Sequence, residues 1–244
     1  GVGSALIRKE FINVSRTPEY MFSYFAIAAA MPIMVYSCYT LFYSLIENAL
    51  GLKIDFSLAL LIVLVFGVLT NTFCATNVSR DGISALSTKT YPVSPSRIMG
   101  AKVVFCMIVS SLSVVLSAAL LVVLTPLGWM NGLIVAVFGV MFSAAQIFIA
   151  TRLDLNNAHV ASGPLETERT AEKTTTKVVF VGLVFAMIVG VSSLVVSIFS
   201  GAAAGAQGLD MSYIIPFAIT VVYLLLSVMY YSINIEKSFY NLVS

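Results

Sequence analysis

The chain has 244 residues, of which 59% are hydrophobic and only 10% charged, and its mean hydropathy is +1.00. An ordinary soluble domain is about 25% charged, so a water-soluble fold is excluded. A net charge of +2, with no stretch that combines basic residues and stacking aromatics, leaves no case for a nucleic-acid partner. The charges report topology instead, because long uncharged stretches alternate with short segments that hold nearly all of them.

The chain opens with Gly rather than Met, and a charged segment precedes the first apolar run, so it reads as a piece of something longer without a cleavable signal peptide. In residues 1–19, Ile7, Phe11 and Val14 share one helical face while Arg8, Lys9 and Arg16 occupy another. That phase predicts a helix lying along the inner membrane surface. Six apolar runs follow, at about 20–46, 56–78, 101–124, 130–150, 178–199 and 213–233. At 1.5 Å per residue, runs of about 20 residues reach across a hydrocarbon layer of roughly 30 Å. The predicted fold is therefore all-α: a polytopic membrane protein with six transmembrane helices spanning residues 20–244.

Helix punctuation agrees with these boundaries. Thr17-Pro18-Glu19 offers a cap, a first-turn proline and an acid, and Ser94-Pro95 repeats the first two before the third run. Pro126 and Gly128 end that run. Pro32 lies mid-run in the first helix and removes the hydrogen bond to the carbonyl of Ala28, which a neighbouring helix must then satisfy. Small residues at close-approach spacing mark packing faces: Ala26 and Ala30, Ser113 and Ser117, and Gly182, Ala186 and Gly190. The cysteines Cys38, Cys74 and Cys106 lie singly inside apolar runs and read as buried side chains, and no metal-ligand cluster is expected.

Orientation follows from the basic residues. With the N-terminus in the cytoplasm, every Lys and Arg except Lys53 falls on the cytoplasmic side, which predicts a protein of the cytoplasmic membrane with both termini in the cytoplasm. Two cytoplasmic segments then stand out. The first, a loop over 79–100, carries Ile83 and Leu86 on one face of a short helix that Tyr91-Pro92 would end. A short helix held between two spans makes a good lever for a partner that changes shape. The second, over 151–177, is the most polar stretch of the chain. Its Asp154 and His159 read as parts of a solvated linker rather than as an acid–base or metal pair, with a second partner-facing surface as the functional alternative.

The lever loop also carries a resemblance. Ser79-Arg80-Asp81-Gly82, then Lys89, then Tyr91-Pro92-Val93-Ser94 leading through Ile98 to Gly100-Ala101-Lys102, resembles the loop between the second and third helices of ABC-2 type permeases. It is most similar to the long bacterial exporters whose C-terminal half is a six-helix unit, and the order of elements over most of the chain adds to the likeness. The resemblance implies that 80–90 is a coupling helix docking on an ABC ATPase subunit, with Arg80, Asp81, Gly82, Ile83, Leu86 and Lys89 as its coupling residues. It further implies a second permease half or a homodimer partner, and ATP and Mg held by the ATPase rather than by this chain. No Gly-x-x-x-x-Gly-Lys-Ser/Thr motif occurs, so this chain carries no P-loop and no catalytic residue is assigned.

The rival reading is a secondary transporter or channel without an ATPase. Ion-coupled carriers usually keep titratable groups at membrane depth. Here the main intramembrane polar side chains are neutral: Thr70 together with Asn71, Thr72 and Gln146, the last three being candidate lining residues for a translocation path. A membrane enzyme is a weaker third class, because the lone His159 lies outside the spans.

Overall fold

The computed structural model describes residues 1–50, 54–81, 92–157, 164–202, 211–233 and 235–240, and every regular element among them is helical. Helix α1 (Val2–Arg16) is followed by α2 (Pro18–Met21), a π-helical turn (Phe22–Ala26) and α3 (Ile27–Leu50). Helix α4 (Asp55–Thr70) tightens into two 3₁₀ segments, Asn71–Thr76 and Ser79–Asp81. The rest comprises α5 (Pro95–Leu124), α6 (Trp129–Asn157), α7 (Pro164–Ala202), α8 (Met211–Ser232) and α9 (Ile235–Tyr240). Six stretches are long and apolar enough to cross a membrane: Phe22–Asn48, Asp55–Thr76, Pro95–Leu124, Trp129–Asn157, Ala171–Phe199 and Tyr213–Ser232. The chain is a multi-pass helical membrane protein.

Helix α4 is the most enclosed of the spans. It packs on α3, α5, α6 and α7, and 72% of its apolar stretch is buried, against 22% in the first and last spans. Those outer helices turn large apolar side chains such as Ile33, Leu41 and Met229 outward, a placement that hydrocarbon makes neutral and water would make costly.

The α4–α7 contact shows why small residues recur in the fifth span. A Cβ on Gly190 would lie 2.3 Å from Leu61 Cδ1 and 3.1 Å from its Cα, and Ala186 is fully buried. Such a close approach lets Ser57 Oγ donate to the Ser193 carbonyl at 3.1 Å. In the first span, Ala26 is exposed and Ala30 only half-buried, while Tyr24, Ala28, Met31 and Val35 face the bundle. The π turn adds a residue to the first helical turns and rotates the face that a straight helix would present.

The proline in α3 has the partner its chemistry demands. Ser113 Oγ, on α5, donates to the Ala28 carbonyl at 2.6 Å, which is the acceptor that Pro32 leaves free. Ser113→Ala is therefore expected to lower stability by about 1–2 kcal/mol. Thermal unfolding in detergent measures this, and an unchanged midpoint would show that the carbonyl does not depend on the serine.

Helices α5, α6 and α7 extend past the apolar runs at the end of the bundle that carries α1. Helix α5 starts at Pro95, with Ser94 in extended geometry as its cap, and α6 continues to Asn157. Hydropathy marks where lipid ends, whereas a helix continues until a breaker stops it, and residues 151–157 contain neither Pro nor Gly. At the opposite end, the α5–α6 turn closes on Gly128 with φ 76°, a left-handed conformation that glycine adopts without strain.

Candidate functional site

The segment leaving α4 toward residues 82–91 is fastened at its base by buried polar contacts. Asp154 on α6 is wholly buried and accepts from the backbone N–H of Val78 at 2.5 Å, from that of Ser79 at 3.1 Å, and from the Ser79 hydroxyl. One turn earlier on the same face, Thr151 Oγ1 accepts from Asn77 Nδ2 at 3.0 Å. Asn77 Oδ1 in turn accepts from the Cys106 thiol of α5 at 3.3 Å. The 3₁₀ turns leave backbone N–H groups without intrahelical acceptors, and the carboxylate supplies what the helix would otherwise have provided.

Beyond this clamp lies a compact charge junction. Lys102 on α5 donates to Glu10 on α1 at 3.1 Å and to Asp81 at 2.7 Å. Asp81 also accepts from Asn13 Nδ2 of α1 at 3.3 Å. Arg80 lies 3.5 Å from Glu10, its guanidinium stacks over the Phe73 ring at 4.3 Å, and its side chain is 1% exposed. Two acids face two bases, so the junction is neutral as a unit. Desolvating four charges consumes most of what their attraction returns, so the group contributes little net stability while penalising any rearrangement that separates its members. Three sequence-distant pieces thereby meet: the N-terminal helix α1, the 79–81 turn and the head of α5.

Arg80 and Asp81 are thus turned into the bundle, at the root of the expected coupling segment. Gly82, Ile83, Leu86 and Lys89 lie outside the described residues, as does His159. Asp154 belongs to no solvated linker, because α6 carries it inward against the 77–79 turn. Of the lining candidates, Asn71 and Gln146 are buried. Neither amide atom of Asn71 has a hydrogen-bond partner among the described residues. Gln146 Nε2 donates to the Val68 carbonyl at 3.4 Å. Gln146 also packs so closely on α7 that a Cβ on Gly182 would lie 2.4 Å from that nitrogen. Thr72 is not brought to them, since its hydroxyl bonds back to the Leu69 carbonyl at 2.8 Å. No group of three His, Cys, Asp or Glu able to hold a metal occurs among the described residues.

Sequence reasoning missed Glu10, Asn13, Asn77, Thr151 and Asp154. Two of them left a readable signal. Glu10 sits three residues after Ile7 and four before Val14, on the apolar face of α1, and an acid there requires a buried cation. Asp154 continues the face of Gln146, Ile147 and Ala150, all buried on α6. Compared with known protein families, curated proteins and solved structures, the chain matches none.

Proposed function

We propose that this chain is the membrane-spanning permease part of an ATP-driven exporter of the ABC-2 type. It sits in the cytoplasmic membrane with both termini inside and works with a separate ABC ATPase. The observation that carries the reading is the fastening of Ser79–Asp81 to α1, α5 and α6 at the base of the 82–91 segment. A rigid root makes a lever useful. A push on 82–91 reaches α4 through the backbone, α6 through Asp154 and α5 through Lys102, so three spans and the surface helix receive it together. On this reading ATP and Mg are held by the partner, in keeping with a sequence that contains no P-loop motif. Inverting an inward/outward population from 1:99 to 99:1 takes roughly 5.5 kcal/mol of differential binding, which nucleotide closing a pair of ATPase subunits is able to supply. A second permease half or a second copy of this chain completes the passage.

The test is copurification of the full-length protein from its native membrane, combined with cysteine cross-linking from position 86 or 89. The expected result is a P-loop ATPase in the preparation, cross-linked through either position and released from the cross-link when nucleotide changes the contact. A preparation that transports substrate with no ATPase present would overturn the reading and assign the chain to the secondary carriers or channels.

A further inference from the structure

Helix α1 roofs a groove of about 700 Å³ between the first span and α5. Phe25, Ile108, Leu112 and Leu116 line its apolar length, and Arg8 and Ser4 are the polar members at its α1 end. Along α5 the lining runs from Phe105 to Leu116, which at 1.5 Å per residue is about 16 Å, close to half of a hydrocarbon layer of roughly 30 Å. The groove therefore has the depth of one leaflet. Its volume falls within the roughly 300–1,000 Å³ of small-ligand clefts. Ser4 and Arg8 also border a second, more polar hollow of about 490 Å³ that includes Lys9, so an apolar slot and a basic depression share a rim. Arg8 is exposed and forms no ion pair among the described residues.

We propose that the groove holds one acyl chain of an anionic phospholipid, with its phosphate on Arg8. An amphiphile of that shape matches both halves of the rim, and the charge complementarity selects an anionic over a zwitterionic headgroup. The site requires only that the chain reside in a bilayer, and it stands whether or not an ATPase drives the protein.

Native mass spectrometry of the full chain, extracted in mild detergent from bilayers of equal phosphatidylglycerol and phosphatidylcholine, tests the site. The wild type is expected to retain phosphatidylglycerol preferentially. Arg8→Gln is expected to weaken that retention about fivefold, the effect of one basic residue at an anionic surface, and Arg8→Lys to preserve most of it. Leu112→Trp, at a position 59% exposed and so tolerant of a larger side chain, is expected to displace the lipid by filling the slot. Equal retention of the two lipids by the wild type, or undiminished phosphatidylglycerol in both Arg8→Gln and Leu112→Trp, would overturn the proposal. A dimer mass lost in Leu112→Trp with lipid retention unchanged would also overturn it, assigning the groove to a second copy.

Discussion

Asp154→Ala is expected to cost about 3–5 kcal/mol of unfolding free energy, whereas Asp154→Asn costs about 1 kcal/mol. The difference follows from what each side chain offers the 77–79 turn. The carboxylate accepts the Val78 and Ser79 N–H groups on one oxygen and the Ser79 hydroxyl on the other. Hydrogen bonds to a charged group contribute roughly 1.5–3 kcal/mol, and each buried donor left without an acceptor costs about 1–3 kcal/mol. Alanine orphans two backbone N–H groups at once, in a place where Asp154 itself is wholly buried and water is a poor substitute. Asparagine keeps a carbonyl oxygen for the two N–H groups, and its amide nitrogen donates to the Ser79 hydroxyl, which rotates to accept. Only the charge is lost, together with the cost of burying it. Denaturant titration in a fixed detergent measures both variants. Equal losses, or no loss from alanine, would show that the carboxylate does not hold the turn.

How far such contacts were legible in the sequence depends on which physical signal reports them. Spans are easy to read, because lipid imposes a composition on about 20 residues at a time. The proline-freed Ala28 carbonyl was equally legible as a requirement, since Pro32 removes a named donor, although only the structure shows that Ser113 answers it. Helix ends were less so. Residues 151–157 look like a connector by polarity, but α6 runs through them, and the side chains of Thr151 and Asp154 find partners in a neighbouring turn rather than in solvent. Packing faces failed where the backbone left ideal geometry, as with Ala26 at the end of the π turn and Ala30 one turn beyond it. The charge junction was the least legible part. Its members come from positions 10, 13, 80, 81 and 102, and pairing across such separations is decided by tertiary contact. The one local hint was an acid set in the apolar phase of α1.

The junction supplies the second large effect. Lys102→Met is expected to cost about 3–5 kcal/mol, the usual result of removing one member of a buried ion pair. It deletes the cation shared by Glu10 and Asp81, leaving Glu10 with Arg80 at 3.5 Å, a longer contact than the 3.1 Å to Lys102. Methionine fills nearly the same volume, so the loss reports charge rather than a cavity. The double variant Glu10→Gln with Lys102→Met is expected to recover part of the loss, because the junction, now one acid and one base, is again neutral as a unit. Directly interacting residues of this kind show coupling of about 0.5–3 kcal/mol in a double-mutant cycle. Strict additivity would mean that Glu10 and Lys102 do not act as a pair. The functional consequence is separable from stability. On the proposed reading of the chain as an exporter's permease, in which the root of the 82–91 segment must be rigid for a push there to reach α1, α4, α5 and α6 together, the Lys102 single variant is expected to uncouple transport from hydrolysis at temperatures where it remains folded, with ATP turnover persisting while substrate movement falls. A folded Lys102→Met protein that transports at the wild-type ratio of substrate to ATP would show that the junction orders the bundle without transmitting force through it.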